Sequence, residues 1–208
     1  MSVSNVRTDG SLLSAIDQKV FRFESLLNLL SGIMIFVLVC LAVANVLSRK
    51  LLGIPLPGFV DWVEQFMAFF AFLGIAYVHR LGGHIRMDMV VGKLHGRVLW
   101  LAELISSIVM LLLVTALIYG TFYHFLRSFD LGAPLFSRDS SIDIALPLWP
   151  AKFVVSFSLA LLWVRLFLQI WAYGRATHLG SSEPVAVPLI EDPAQQAAHE
   201  AEMLGSKE

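Results

Sequence analysis

The sequence predicts an all-α integral membrane protein of four transmembrane helices, with an interfacial helix ahead of the first. Two observations carry this. The 208 residues are 57% hydrophobic and only 15% charged, with a mean hydropathy of +0.74, which is too apolar for an ordinary soluble domain. Four stretches are also long enough for the about 20 helical residues that a hydrocarbon core demands: residues 25–47, 59–78, 98–123 and 148–172. The net charge of −1 and the scatter of basic residues give no footprint for nucleic acid. The single cysteine, Cys40, excludes an intrachain disulfide.

Residues 1–24 precede the first span. Leu12, Leu13, Ile16, Val20, Phe23 and Leu27 recur at helical spacing, while Asp17, Gln18, Lys19, Arg22 and Glu24 take the other face. This pattern is that of an interfacial helix, or of a cytoplasmic extension of span one. Span one is too long for a signal-peptide core and is followed by Ser48-Arg49-Lys50, so it is expected to be retained as an anchor. Arg7, Lys19 and Arg22 flank span one, and Arg80, Arg86, Lys93 and Arg97 lie in or beside the second connection. The first connection has only Arg49 and Lys50, and the third only Arg127 and Arg138. The positive-inside rule then places both termini in the cytoplasm.

Span two begins DWVEQFMAFFAFLGIAY. At about 100° per residue, Asp61, Glu64, Ala68, Ala71 and Ile75 fall on one stripe, opposite Trp62, Phe66, Phe69, Phe70, Leu73 and Tyr77. Small residues admit a neighbouring helix and a membrane acid seeks a partner, so the small-plus-acid stripe is expected to face protein and the aromatic side to face lipid. Asp61, in the first turn, is read either as an interfacial cap or as a contact residue. Depth along the spans pairs Glu64 with Lys152, and Glu103 with Arg165. Such pairing removes the cost of an isolated ion in hydrocarbon, about 3 kcal/mol on insertion scales.

The third connection, FDLGAPLFSRDSSIDIALPLWP, is expected to lie on the membrane surface, with Pro147 and Pro150 in the first turn of span four and Trp149 at the outer interface. The tail, residues 173–208, reads as cytoplasmic and disordered from Gly180 on, with at most a short helix around 194–203. There is no internal repeat and no pair of interrupted helices of the kind that marks a transporter's own midplane site. No two of His79, His84, His95 and His124 meet at one depth, which opposes haem between axial histidines. His84 with Asp88 is too weak a spacing for a metal site.

After span two the chain reads YVHRLGGHIRMDMVVGKL, preceded by FLG and, earlier, by RKLLGIPLPG. With Arg49, Pro55 and Pro57, Asp61 and Glu64, Gly74, then Gly83-His84-Ile85-Arg86-Met87-Asp88, and later IALPLWPAKF and Arg165, this resembles the small membrane subunit (DctQ-type) of TRAP transporters, the tripartite ATP-independent periplasmic family. The likeness covers about residues 25–172. Met87 departs from the family's commoner Val, and Glu64-Gln65 stands where a Glu-Glu pair is common, so either Asp61 or Glu64 matches the family carboxylate.

The resemblance implies a non-catalytic, multi-pass subunit of a bacterial inner membrane, with no cofactor of its own. Its implied partners are a large permease subunit carrying the sodium and substrate sites, a periplasmic binding protein for an organic acid such as a dicarboxylate, and membrane lipids. His84, Arg86 and Asp88 either fix the turn that Gly82 and Gly83 permit, anchor it to headgroups and cap a short helix, or touch the large subunit's loops. An autonomous channel and a redox subunit binding haem or quinone are the competing classes. A channel would need a polar stripe through a whole span, and none is seen.

Overall fold

The computed structural model describes residues 12–80 and 97–179. The elements are α1 (Leu12–Leu51), α2 (Phe59–Leu73), α3 (Ile75–Arg80), α4 (Arg97–Ser128), a 3₁₀ turn (Pro134–Phe136) and α5 (Trp149–Leu179). Taking α2 and α3 together, four helices are long and apolar enough to cross a membrane. The boundaries expected at 24/25 and 172/173 both fall inside helices. Residues 12–24 run without a break into α1, and α5 continues to Leu179. The motif residues Gly83, His84, Arg86 and Asp88 lie outside the described residues, as do the tail from Gly180 and the inner connection.

At 1.5 Å per residue, the 40 residues of α1 span about 60 Å, twice the hydrocarbon thickness. α5 is the central element: α4 lies along one flank, α2 and α3 along the other, and α1 leans chiefly on α2. The α4–α5 pair is antiparallel. Trp100 stacks on Tyr173 at one end and Phe125 meets Phe153 at the other, with Val114, Leu162 and Leu166 between them. In the same seam the Trp163 indole Nε1 donates to Thr115 Oγ1 at 3.0 Å. α1 and α2 are antiparallel too: Ser31 Oγ donates to the Phe70 carbonyl (2.9 Å), and Phe21 stacks on Tyr77.

Large apolar side chains such as Leu26, Phe36, Leu112 and Leu113 point outward, whereas Ser14, Asp17, Glu24, Asp61, Gln65, Arg80, Ser158, Arg165 and Gln169 are buried. Water would not tolerate this arrangement, but a bilayer does. Apolar faces gain nothing there by hiding, whereas polar groups gain by finding protein partners.

The same reversal shows in α1, and in α2 it corrects the expected face. In the first turns of α1, Asp17 and Glu24 are each 1% exposed while Ile16 and Phe23 stand about 40% exposed (40% and 42%), so the acidic face is the packed one. In α2 the packed positions are Asp61, Gln65 and Leu73, with Ala76 following in α3. The aromatic side, expected toward lipid, meets α1 through Phe70 and Tyr77. Glu64 and Ala71 are exposed, and Ala68 and Ile75 half-buried. The expected stripe is therefore divided: Asp61 turns inward, and Val60, Glu64, Met67, Ala71 and Val78 form an outward row. The cause is that α2 is gripped on two flanks, by α1 and by α5.

At Gly74 the chain passes close against α1. A Cβ there would sit 3.0 Å from Asn28 Oδ1, whereas one on Gly120 would meet nothing within 4 Å. Gly74→Ala is expected to lower stability by about 1 kcal/mol or more through overpacking. Gly120→Ala is expected to be neutral or to add about 0.5–1 kcal/mol, because alanine suits a helix interior better. Denaturant titration of both variants in one detergent measures the difference.

Candidate functional site

Two polar centres lie at opposite ends of α2–α3. At the end nearer the chain termini, α1, α3 and α5 converge on Asp17. Its Oδ2 accepts from Arg80 Nη2 and its Oδ1 from Arg165 Nη1, each at 2.5 Å. One carboxylate thus pairs with two guanidinium groups from different helices, and all three side chains are nearly inaccessible. The Arg80 guanidinium also lies over the Phe21 ring, 3.7 Å from its centroid, which suits a cation held away from bulk solvent. Beside them the His79 Nε2 and Gln169 Oε1 are 2.7 Å apart, and Gln169 Nε2 reaches the Tyr173 hydroxyl at 3.4 Å. This polar layer ties α1, α3 and α5 together.

At the other end, Asp61 anchors the third connection. Its Oδ2 accepts from Ser141 Oγ (2.6 Å) and from the backbone N–H groups of Ile144 (2.9 Å) and Asp143 (3.1 Å). One turn on, Gln65 Nε2 donates to the Pro147 carbonyl at 2.7 Å. Residues 139–147 are therefore strapped across the start of α2. Gly58, at φ +67°, makes room for the strap: a Cβ on it would lie 2.6 Å from both Ile144 Cγ atoms. Two bridges, Phe129 with Ser137 and Ser140 with Pro147, give the loop its internal frame. Pro150 falls in the first turn of α5 as expected, while Pro147 precedes the helix and serves as an acceptor.

Neither expected ion pair forms. Lys152 Nζ pairs with Asp139 Oδ2 (2.7 Å), because the connection folds back over the start of α5 and brings an acid nearer than Glu64, which faces outward. Arg165 pairs with Asp17 rather than Glu103, because α1 is long enough to reach its level while Glu103 sits half-buried on α4. Asp61 stands in the first turn of α2 but does not cap it, since Gly58 is the N-cap and the carboxylate bonds the third connection instead.

Sequence reasoning missed Asp17 and Glu24. Ser14, Asp17, Glu24, Asn28, Ser31 and Asn45 follow the three-four spacing of a helix seam, and all but Asn28, which is half-buried, are buried. That polar seam inside an apolar segment was the available signal. Two of its members bond to backbone: Ser31 to Phe70, and Asn45, whose Oδ1 accepts from the Leu56 N–H at 3.0 Å.

The polar centres tie this chain's own helices together, and among the described residues no group of His, Cys, Asp or Glu is placed to hold a metal ion. The fold and its polar fastenings define the class: a multi-pass helical membrane protein whose ionic groups serve assembly. The family model of tripartite ATP-independent periplasmic transporters, DctQ component, matches residues 38–174, and the chain belongs to this family. It is accordingly a non-catalytic small permease component. A search of curated proteins returns no match. Asp61, Gly74, Arg80, Lys152 and Arg165 lie within the matched span, whereas Asp17 and Glu24 precede it.

Removing Asp17 strands two buried cations. Asp17→Asn is expected to cost about 3–5 kcal/mol, the usual cost of breaking a buried ion cluster from one side. The exposed Glu64→Gln is expected to leave the unfolding midpoint unchanged, and titration with a denaturing detergent compares the two.

The strap carries a pH dependence. The Lys152 ammonium hydrogen-bonded to Asp139 holds that carboxyl below the usual carboxylate range, and the Gly132 N–H, with Arg138, does the same for Asp130. A depressed folded-state value contributes stability that is complete above the unfolded pKa of about 4 and is lost as pH falls through the folded one. Proteolysis of the 129–148 connection is thus expected to accelerate below about pH 4. Asp139→Asn should raise the neutral-pH cleavage rate and flatten the profile.

Proposed function

We propose that this chain is the small permease subunit that widens the fixed scaffold of a TRAP transporter. In this reading it packs against the large permease subunit and supports sodium-coupled uptake of an organic acid, such as a dicarboxylate, delivered by a periplasmic binding protein. Sodium and substrate belong to the large subunit, and this chain holds neither. Both termini are cytoplasmic and the Asp61 strap faces the periplasm of the inner membrane, consistent with the distribution of Lys and Arg.

The observation that carries the proposal is the outward row on α2. Glu64 and Ala71 stand among Val60, Met67 and Val78 on a face that no helix among the described residues covers. A carboxylate one turn inside a membrane helix is costly against lipid and favourable against protein, and Ala68 and Ala71 allow a partner helix to approach closely. The family motif Gly83-His84-Ile85-Arg86-Met87-Asp88 extends this contact to the cytoplasmic side of the partner.

Two experiments test this. Purification of the tagged chain from its native membrane is expected to recover a larger permease subunit, and Glu64→Lys is expected to lower that recovery at least about tenfold, as for a like-charge or unpaired buried contact. The folding of the isolated variant should be unaltered. Liposomes holding this chain alone should accumulate no organic acid when a sodium gradient is imposed. Uptake there would overturn the proposal.

A further inference from the structure

The Asp17 cluster contains more polar atoms than its ion pairs use. Arg80 bonds Asp17 through Nη2, leaving Nε and Nη1 without a protein partner. Arg165 bonds it through Nη1, leaving Nη2 in the same condition. Glu24, two turns along α1 from Asp17 on the same seam, is 1% exposed, and neither of its carboxylate oxygens has a protein partner. Asp17, Phe21 and Glu24 follow one another along one stripe of α1, and the Arg80 guanidinium spans the first two, so the open acceptors of Glu24 and the open donors of the arginines lie on the same side of α1. Phe21 closes that region from α1 through its contact with Arg80.

Groups of this kind are not left dry in a protein interior. A buried carboxylate with two open oxygens and three open guanidinium N–H groups would each forfeit the full cost of desolvation. The opposite signs exclude the obvious ions. Glu24 and Asp17 repel an anion, while Arg80 and Arg165 repel a metal cation. A water molecule suits both sides, because it donates to the carboxylate and accepts from a guanidinium.

We propose that Glu24, Arg80 and Arg165 enclose a buried hydration site, in which water bridges the Glu24 carboxylate to the free N–H groups of the two arginines. Each buried water makes about three hydrogen bonds, so the five open atoms call for about two waters. The site completes the fastening of α1 to α3 and α5, and Asp17 and Glu24 clasp the arginine pair directly and through water respectively.

The test is X-ray radiolytic footprinting in isotopically labelled water, with a high-resolution map, on the full-length chain in lipid nanodiscs. Expected is a high modification rate at Glu24 despite its burial, and at the half-buried Phe21 beside it, with density within hydrogen-bond distance of Glu24 and both arginines. Glu24→Gln, which can still accept and donate, should keep the density and shift the unfolding midpoint little. Glu24→Leu should abolish the density and lower the midpoint by several degrees. Three results would overturn the proposal: Glu24 resting directly on a guanidinium with no density between them, density that gains anomalous signal in bromide, or Glu24→Leu as stable as the native chain.

Discussion

The fold depends on one carboxylate with two cationic partners. Asp17 lies on the polar seam of α1, and it engages Arg80 at the end of α3 and Arg165 midway along α5. In a bilayer, helix association gets little help from the hydrophobic effect, so direction must come from packing and polar contacts. A bridging acid supplies direction strongly, because each arginine alone would be expensive and the one carboxylate gives both a partner. That constraint sets the register of α1 against α3 and α5, from which the closer contacts at Ser31 and Gly74 follow.

The second constraint is the strap at the far end of α2. Asp61 accepts three hydrogen bonds from a loop about 80 residues away in sequence (the separations are 80, 82 and 83), so the loop is held by the helix rather than by lipid. The loop itself contains three non-glycine residues with positive φ: Leu135, Phe136 and Ala145. Conformations of that kind persist where the surroundings fix them, and here Asp61, the Lys152–Asp139 pair and the Arg138–Asp130 pair do so. Gly58 supplies the space beneath Ile144 that a side chain would have filled.

Much of this could be read from the sequence. The four apolar stretches are helices, Pro150 falls in the first turn of the last one, and Asp61 stands in the first turn of α2. The order of motifs named the family that the profile match then shows. What could not be read was which side of each helix faces inward. Helical periodicity divides a span into two faces, but water, which would assign the apolar face to the core, is missing as arbiter. Hence the acidic face of residues 12–24 turned inward, and the aromatic face of α2 turned toward α1. Ion pairing failed for a related reason. Depth counting compares residues on spans of equal reach, whereas α1 runs well past the others and Asp139 enters from a loop, so Arg165 and Lys152 met acids that were absent from the depth count.

Because α2 and α3 are clamped near both tips, by residues 141–147 above and by Asp17 and Arg165 on the Arg80 side below, they cannot slide along their neighbours without breaking several bonds at once. Gly74, the one interruption between those clamps, is itself wedged against Asn28. A rod so fixed transmits force instead of absorbing it. In mechanical terms α2 and α3 form a brace, and a load applied at one tip arrives at the other.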